Sequence, residues 1–156
     1  MADNNLMYNI AKKQLNDGTM DWDTSTGIYV ALVSTAYVAN ADHAKFDIAA
    51  STMDPAVHEV SGTGYSTKGA ALGSRAVTQQ DGNDRAILDA ADSTWGGLDA
   101  GTIGGAVVYN IPSGQSANSS NWVLICYNNT TAAFPFTSNG GDFTIQWSTA
   151  GVLSLS

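Results

Sequence analysis

Two histidines, His43 and His58, are the chain's whole stock of imidazole. Asp42, Asp47, Asp54 and Glu59 are near in sequence, so a base or a metal ligand set is conceivable there. Zinc sites are recognised by ligand pairs at short fixed spacing, and this stretch has no H-x-H, no H-x₃-H and no cysteine partner. Exposed or structural histidines are therefore expected, with no metal site. The single cysteine, Cys126, lies in the apolar run Trp122–Tyr127 and is expected as a buried, inert thiol. Serines are plentiful, but no G-x-S-x-G elbow accompanies them. Gly62-Thr63-Gly64 looks like a piece of a phosphate loop without its Gly-Lys-Ser/Thr ending, and reads as turn geometry. Asp81-Gly82-Asn83-Asp84 offers oxygen ligands but lacks the length, end ligand and flanking helices of an EF-hand; it reads as a hairpin turn. The Asp89/Asp92 pair has the residue types of glycoside hydrolysis, yet nothing in the spacing sets it across a cleft. The expectation is no enzyme and no cofactor. Trp22, Tyr37, Trp95, Trp122 and Trp147 could form a sugar platform, but their apolar neighbours favour core or interface roles.

The elements that would position these residues are mostly strands. Asp3–Leu15 reads as one short helix, about residues 4–15, capped by Asp3 or Asn4 and stopped by Asn16-Asp17-Gly18. Ile28–Ser34 (IYVALVS) is a strong strand, apolar enough to be central. Between Tyr37 and Val60, residues 42–50 could make a helical turn or two with Phe46 inward, and Pro55 is expected to end anything helical there. Ser61-Gly62-Thr63-Gly64-Tyr65 is a turn cluster with Tyr65 packed on the sheet. Leu72–Gln79 and Arg85–Ala90 form a hairpin around the Asp81–Asp84 turn. Asp92-Ser93-Thr94-Trp95 reads as a turn with Trp95 buried, and the glycines from Gly96 to Gly105 as a loose connection. Ala106–Asn110 and Trp122–Tyr127 are apolar strands, and Pro112–Asn121 is a polar loop needing no packing. Phe143, Ile145 and Trp147 alternate with polar residues. With Val152–Leu155 they are expected to form a C-terminal β-hairpin over about 142–155. About seven strands with frequent turns and no βαβ alternation predict an all-β chain. The expected form is an antiparallel β-sandwich or jelly-roll-like barrel with one short N-terminal helix, a single domain over 1–156. Trp95, Val107, Leu124, Ile145 and Trp147 are its expected core.

Composition narrows the partners. Only 13% of the 156 residues are charged, against about 25% in ordinary soluble domains, so Ser, Thr, Asn and Gly must supply the polar surface. The formal net charge of −8 disfavours nucleic acid and anionic membranes alike. The one basic doublet, Lys12-Lys13, sits on the expected helix. The N-terminal residues lack a signal-peptide pattern and the longest apolar run, Ile28–Val33, is too short to span a bilayer, so folding in a cytoplasm is expected. Binding or structural work is expected rather than catalysis.

A series of words in order carries a resemblance. They are Ile28–Ser34 with Tyr37 behind it, Ser61–Tyr65, Asp92–Trp95, Gly105–Tyr109, Leu124–Tyr127, and Asp142–Ser148 with Gly151-Val152-Leu153. With the short N-terminal helix they resemble small virion proteins of tailed bacteriophages, of the head decoration or cement type, over roughly residues 4–155. The resemblance implies a structural protein on the exterior of the capsid, made in the host bacterial cytoplasm. It implies the major capsid protein as partner, and a homo-oligomer with a trimer favoured over a dimer. Lys12, Lys13 and Trp22 are the candidate capsid-interface residues, Trp22 as a possible anchor. The rival expectation is a receptor- or glycan-binding fibre or tail-associated virion domain, with Trp22 and Tyr37 or the Pro112–Asn121 loop as its platform. A hydrolase of cell-wall polymers ranks last.

Overall fold

A computed structural model describes residues 6–25, 27–48, 51–129 and 134–155. In chain order its elements are β1 (Leu6–Met7), α1 (Asn9–Asn16), β2 (Ile28–Ser34), α2 (Pro55–His58), β3 (Ala70–Ala71), β4 (Ala76–Gln80), β5 (Arg85–Asp89), β6 (Ser93–Leu98), β7 (Thr102–Asn110), β8 (Val123–Asn128), β9 (Phe136–Thr137), β10 (Gly141–Ile145) and β11 (Leu153–Leu155). The protein is mostly antiparallel β-sheet. The main sheet runs β1-β8-β7-β2-β3, with β9 beside the start of β7. Two smaller sheets are β10-β6 and β11-β5-β4.

The apolar run in β2 has a plain cause. Ile28, Val30 and Leu32 face one side, together with Val108 and Ile125, and share a cluster with Leu88, Trp95, Leu98, Phe143 and Ile145 of the small sheets. Ala31 and Val33 face the other side, where Val107, Tyr109 and Leu124 meet Tyr8, Tyr37, Phe46 and Trp122. A strand buried on both faces loses its alternation and reads as a continuous hydrophobic run. β2 and β7 pair from Ile28↔Asn110 to Val33↔Gly105, then a bulge shifts the register so that Ser34 meets Ile103. The turn cluster is pinned to this sheet: the Tyr65 hydroxyl accepts the Leu32 N–H at 3.1 Å and donates to Glu59 Oε1 at 2.8 Å.

Several expectations are corrected. The C-terminal stretch is not a hairpin over 142–155. Ser148 and Gly151 do form a bridge, but β10 pairs with β6 and β11 pairs with β5. Val152 donates its N–H to Leu88 O at 2.9 Å, which draws the chain onto a different sheet as it leaves the turn. The helix is shorter than 4–15. Leu6–Met7 instead pairs with Tyr127 and Cys126, and α1 begins at Asn9; the expected caps Asp3 and Asn4 lie outside the described residues. Ser93–Leu98 is a strand rather than a turn, and Gly104 and Gly105 belong to β7. Phe46 is buried without any helix around it, and Pro55 starts a helix instead of ending one. At the first helical position proline's fixed φ and missing N–H cost nothing. Trp95, Val107, Leu124 and Ile145 are buried, Val107 and Leu124 in the second cluster. Trp147 is only half-buried, at the edge of the first cluster.

Candidate interaction surface

The segment from Tyr37 to Val60 covers the second face of the main sheet. Phe46 donates its N–H to Trp122 O, Ala56 donates to Phe46 O, and Val60 donates to Leu32 O, each at 3.0 Å. Phe46 stacks at 4.4 Å from the Tyr109 ring and 5.5 Å from that of Trp122. The Tyr37 hydroxyl meets that of Tyr8 at 2.6 Å, both rings being buried. Among the described residues of this segment, these backbone bonds and packed aromatic rings tie the chain to the main sheet.

The segment exposes the polar Asn40, Asp42 and Thr52 and also large apolar side chains. Among the described residues five large hydrophobic side chains are exposed, and Val38, Ile48, Met53 and Val57 of this segment are four of them. One buried acid gathers three. Asp54, 1% exposed, accepts the Ile48 N–H at 2.8 Å with Oδ2 and the Val57 N–H at 3.1 Å with Oδ1. The second bond is the N-cap of α2. Met53 precedes the cap directly. Val38 follows Tyr37, whose ring lies 5.9 Å from that of His58 at the end of α2. Ile48, Met53 and Val57 are thereby the candidate for an interaction surface among the described residues.

The residues expected at the interface are not brought together. Trp22 is buried at 1% exposure, with its indole N–H donated to Asp89 O at 2.8 Å, so it serves the interior and not as a surface anchor. Lys12 and Lys13 are exposed on α1. The Lys13 ammonium lies 2.6 Å from Asp17, whose carboxyl it holds down at about 2, so part of the doublet's charge is spent within the helix. Tyr37 is also buried, which leaves Trp22 and Tyr37 unable to form an exposed glycan platform. The Pro112–Asn121 loop has no buried residue, as expected, but it is tied down by hydrogen bonds: Gln115 O accepts the Trp122 indole N–H at 2.8 Å, and Ser116 O accepts the Lys68 ammonium at 2.7 Å.

That loop closes a hollow of about 270 Å³ lined by Phe46, Glu59, Lys68, Ser116, Ser119 and Trp122. Its polar groups are engaged with one another. Glu59 accepts from the Tyr65 hydroxyl and from the Lys68 N–H, and the Lys68 ammonium stands 5.1 Å over the Trp122 ring. Burial raises the Glu59 carboxyl above its ordinary range despite these bonds. Cys126 is fully buried and its thiol is pushed up to about 12 by desolvation. His58 contacts Thr52 O at 3.1 Å. Among the described residues no three His, Cys, Asp or Glu side chains gather as a metal-ligand group.

Sequence reasoning missed Ile48, Met53 and Val57 as a surface. The available signal was Asp54-Pro55, an N-cap followed by proline at the first helical position. Compared with known families, curated proteins and solved structures, the chain matches no family model, no curated protein and no solved structure.

Proposed function

We propose that this chain is a bacteriophage virion structural protein of the head decoration type. In this reading it binds the outside of the major capsid lattice as a homo-oligomer and stabilises the head. The observation that carries the reading is the exposed apolar group Ile48, Met53 and Val57, set on a base fixed by the buried Asp54, with Val38 exposed elsewhere in the same segment. Such a patch suits a broad contact whose affinity per copy is modest. Copies joined in one oligomer multiply that contact through effective concentration, without any further chemistry. The small charged fraction and the −8 net charge suit the outside of a shell rather than a surface lining packaged DNA. The three-fold oligomer rests on the resemblance alone. We read the fold as sandwich-like, supported by the hydrophobic cluster that the two small sheets share with one face of the main sheet.

The test is cosedimentation of the purified protein with undecorated heads of the phage that encodes it. Wild type is expected to pellet with heads. The doubly substituted Met53→Asp/Val57→Asp protein is expected to stay folded and remain in the supernatant. Lys12→Ala/Lys13→Ala is expected to pellet as wild type does. A wild-type protein that ignores heads, or a folded patch variant that still binds with unchanged affinity, contradicts the proposal.

A further inference from the structure

β4, Ala76-Val77-Thr78-Gln79-Gln80, is an edge strand with an unusual exterior. It pairs with β5 on one side, from Ala76↔Asp89 to Gln80↔Arg85, and among the described residues no strand pairs on the other. Its first four residues are exposed, and Val77 is half exposed. Proteins usually guard such an edge with lysine, proline, a bulge or extreme shortness. β4 has none of these: five uncharged residues run without interruption. Charge resumes only at its flanks, with Arg75 before it and Asp81 after it.

The geometry points to this edge as a pairing surface for a second copy of the same chain, joined antiparallel about a two-fold axis at Thr78. The numbering shows why this register is favoured. With Thr78 opposite its own counterpart, Val77 meets Gln79 and Ala76 meets Gln80 of the other copy. One step further, Arg75 meets Asp81, twice by symmetry. Centring the axis one residue to either side removes that charge match. Arg75 donates within its own chain to the carbonyls of Trp22, Leu72 and Ser25. Carbonyls are neutral acceptors, so its positive charge stays available to an incoming carboxylate. Threonine directly opposite threonine is a favourable cross-strand pair. On a chain of net charge −8, self-association needs a surface free of like charge, and this uncharged strand supplies one.

The sheet face beside the seam is apolar. Val77 borders an open groove of about 280 Å³ lined by Leu15, Met20, Trp22, Leu88 and Leu155. It borders a second, of about 510 Å³, toward Gln80 and Arg85. Both hollows lie on one face of the β4-β5-β11 sheet, and pairing across β4 extends that face by joining two three-stranded sheets into one of six. The contact is isologous and closes after two copies, so it is distinct from the three-fold contact implied by the resemblance. It does not depend on the capsid reading.

Light scattering on the purified full chain reads the mass directly. Wild type is expected at an even multiple of the chain's 16.2 kDa, two copies from this contact alone or six where the three-fold contact also forms, with the β4 amides protected in hydrogen exchange. Thr78→Lys sets two ammonium groups opposite each other at the axis and is expected to weaken the dimer about tenfold or more. Thr78→Asp does the same with carboxylates. Mixing the two variants restores opposite charges at the axis and is expected to restore the dimer. Because Thr78 is exposed, each variant should keep the wild-type fold by circular dichroism. A monomeric wild type overturns the proposal. So does a dimer indifferent to Thr78→Lys, a trimer whose β4 amides exchange freely, or β4 protection that appears only on phage heads.

Discussion

Asp54 Oδ1 accepts the Val57 N–H at 3.1 Å, joining a carboxylate 1% exposed to a valine 58% exposed. A buried charged acceptor is a strong constraint on the donors it holds, here Val57 and Ile48. Asp54→Ala leaves two N–H groups without that acceptor and is expected to cost about 1–3 kcal/mol. Denaturant unfolding checks the magnitude. Hydrogen exchange should locate the loosening at residues 46–58 and leave β2 and β7 protected. Loss of protection across the whole main sheet would contradict this local role.

Leu124 is fully buried in the second cluster, beneath Phe46 and Trp122. Leu124→Ala is expected to destabilise by about 2–5 kcal/mol, as large-to-small changes in packed cores do. A melting temperature equal to that of wild type would show that this face is not packed.

Glu59 makes stability depend on pH. Burial is the largest cause of its raised pKa, ahead of the lowering hydrogen bonds from Tyr65 and Lys68. The folded state therefore holds this proton at higher pH than the unfolded chain does. The resulting stabilisation is full below the unfolded-state value and is lost as pH rises through the folded one. Glu59→Gln removes the titration while retaining an oxygen acceptor. Its stability relative to wild type should therefore rise with pH above about 4.3, the ordinary glutamate value. Parallel pH curves for the two proteins would exclude Glu59 as the source.

Removal of residues 2–17 deletes β1, buried Tyr8 and buried Ala11, and with Tyr8 the 3.1 Å bond from its N–H to Ile125 O. The truncated chain is expected to unfold at a markedly lower temperature, which makes the segment part of the fold. Lys12→Ala/Lys13→Ala should melt within about 0.5 kcal/mol of wild type, as exposed substitutions generally do. A truncation as stable as the full chain would detach the N-terminal segment from the core.

What was legible in the sequence followed from local chemistry. β2 has the expected bounds because the strand formers Ile28, Tyr29, Val30 and Val33 sit in a short apolar run. The β4–β5 hairpin was legible from Asp81-Gly82-Asn83-Asp84, where Asp84 adopts a left-handed φ of 49°. Pairing partners were not legible when they lay far away. β6 carries two glycines, poor strand formers, and becomes a strand because Trp95 meets Phe143 and Thr94 meets Thr144 from β10. The alternation of Phe143 and Ile145 identifies a strand without naming its neighbour. Gly151 does turn the chain, yet the return goes to β5. The surface was the least legible part. Val57 looks like any core valine until Asp54 is seen to turn its backbone outward, and Trp22 looks like an anchor until Asp89 is seen to hold it inside.

The α2 surface is proposed to seat this chain on a capsid. Cryo-electron microscopy of heads mixed with the purified protein measures that directly. Copies are expected at regular positions on the outer lattice, with Met53 and Val57 facing the major capsid protein. Copies only at the tail, or on the lattice with α2 turned to solvent, would contradict it.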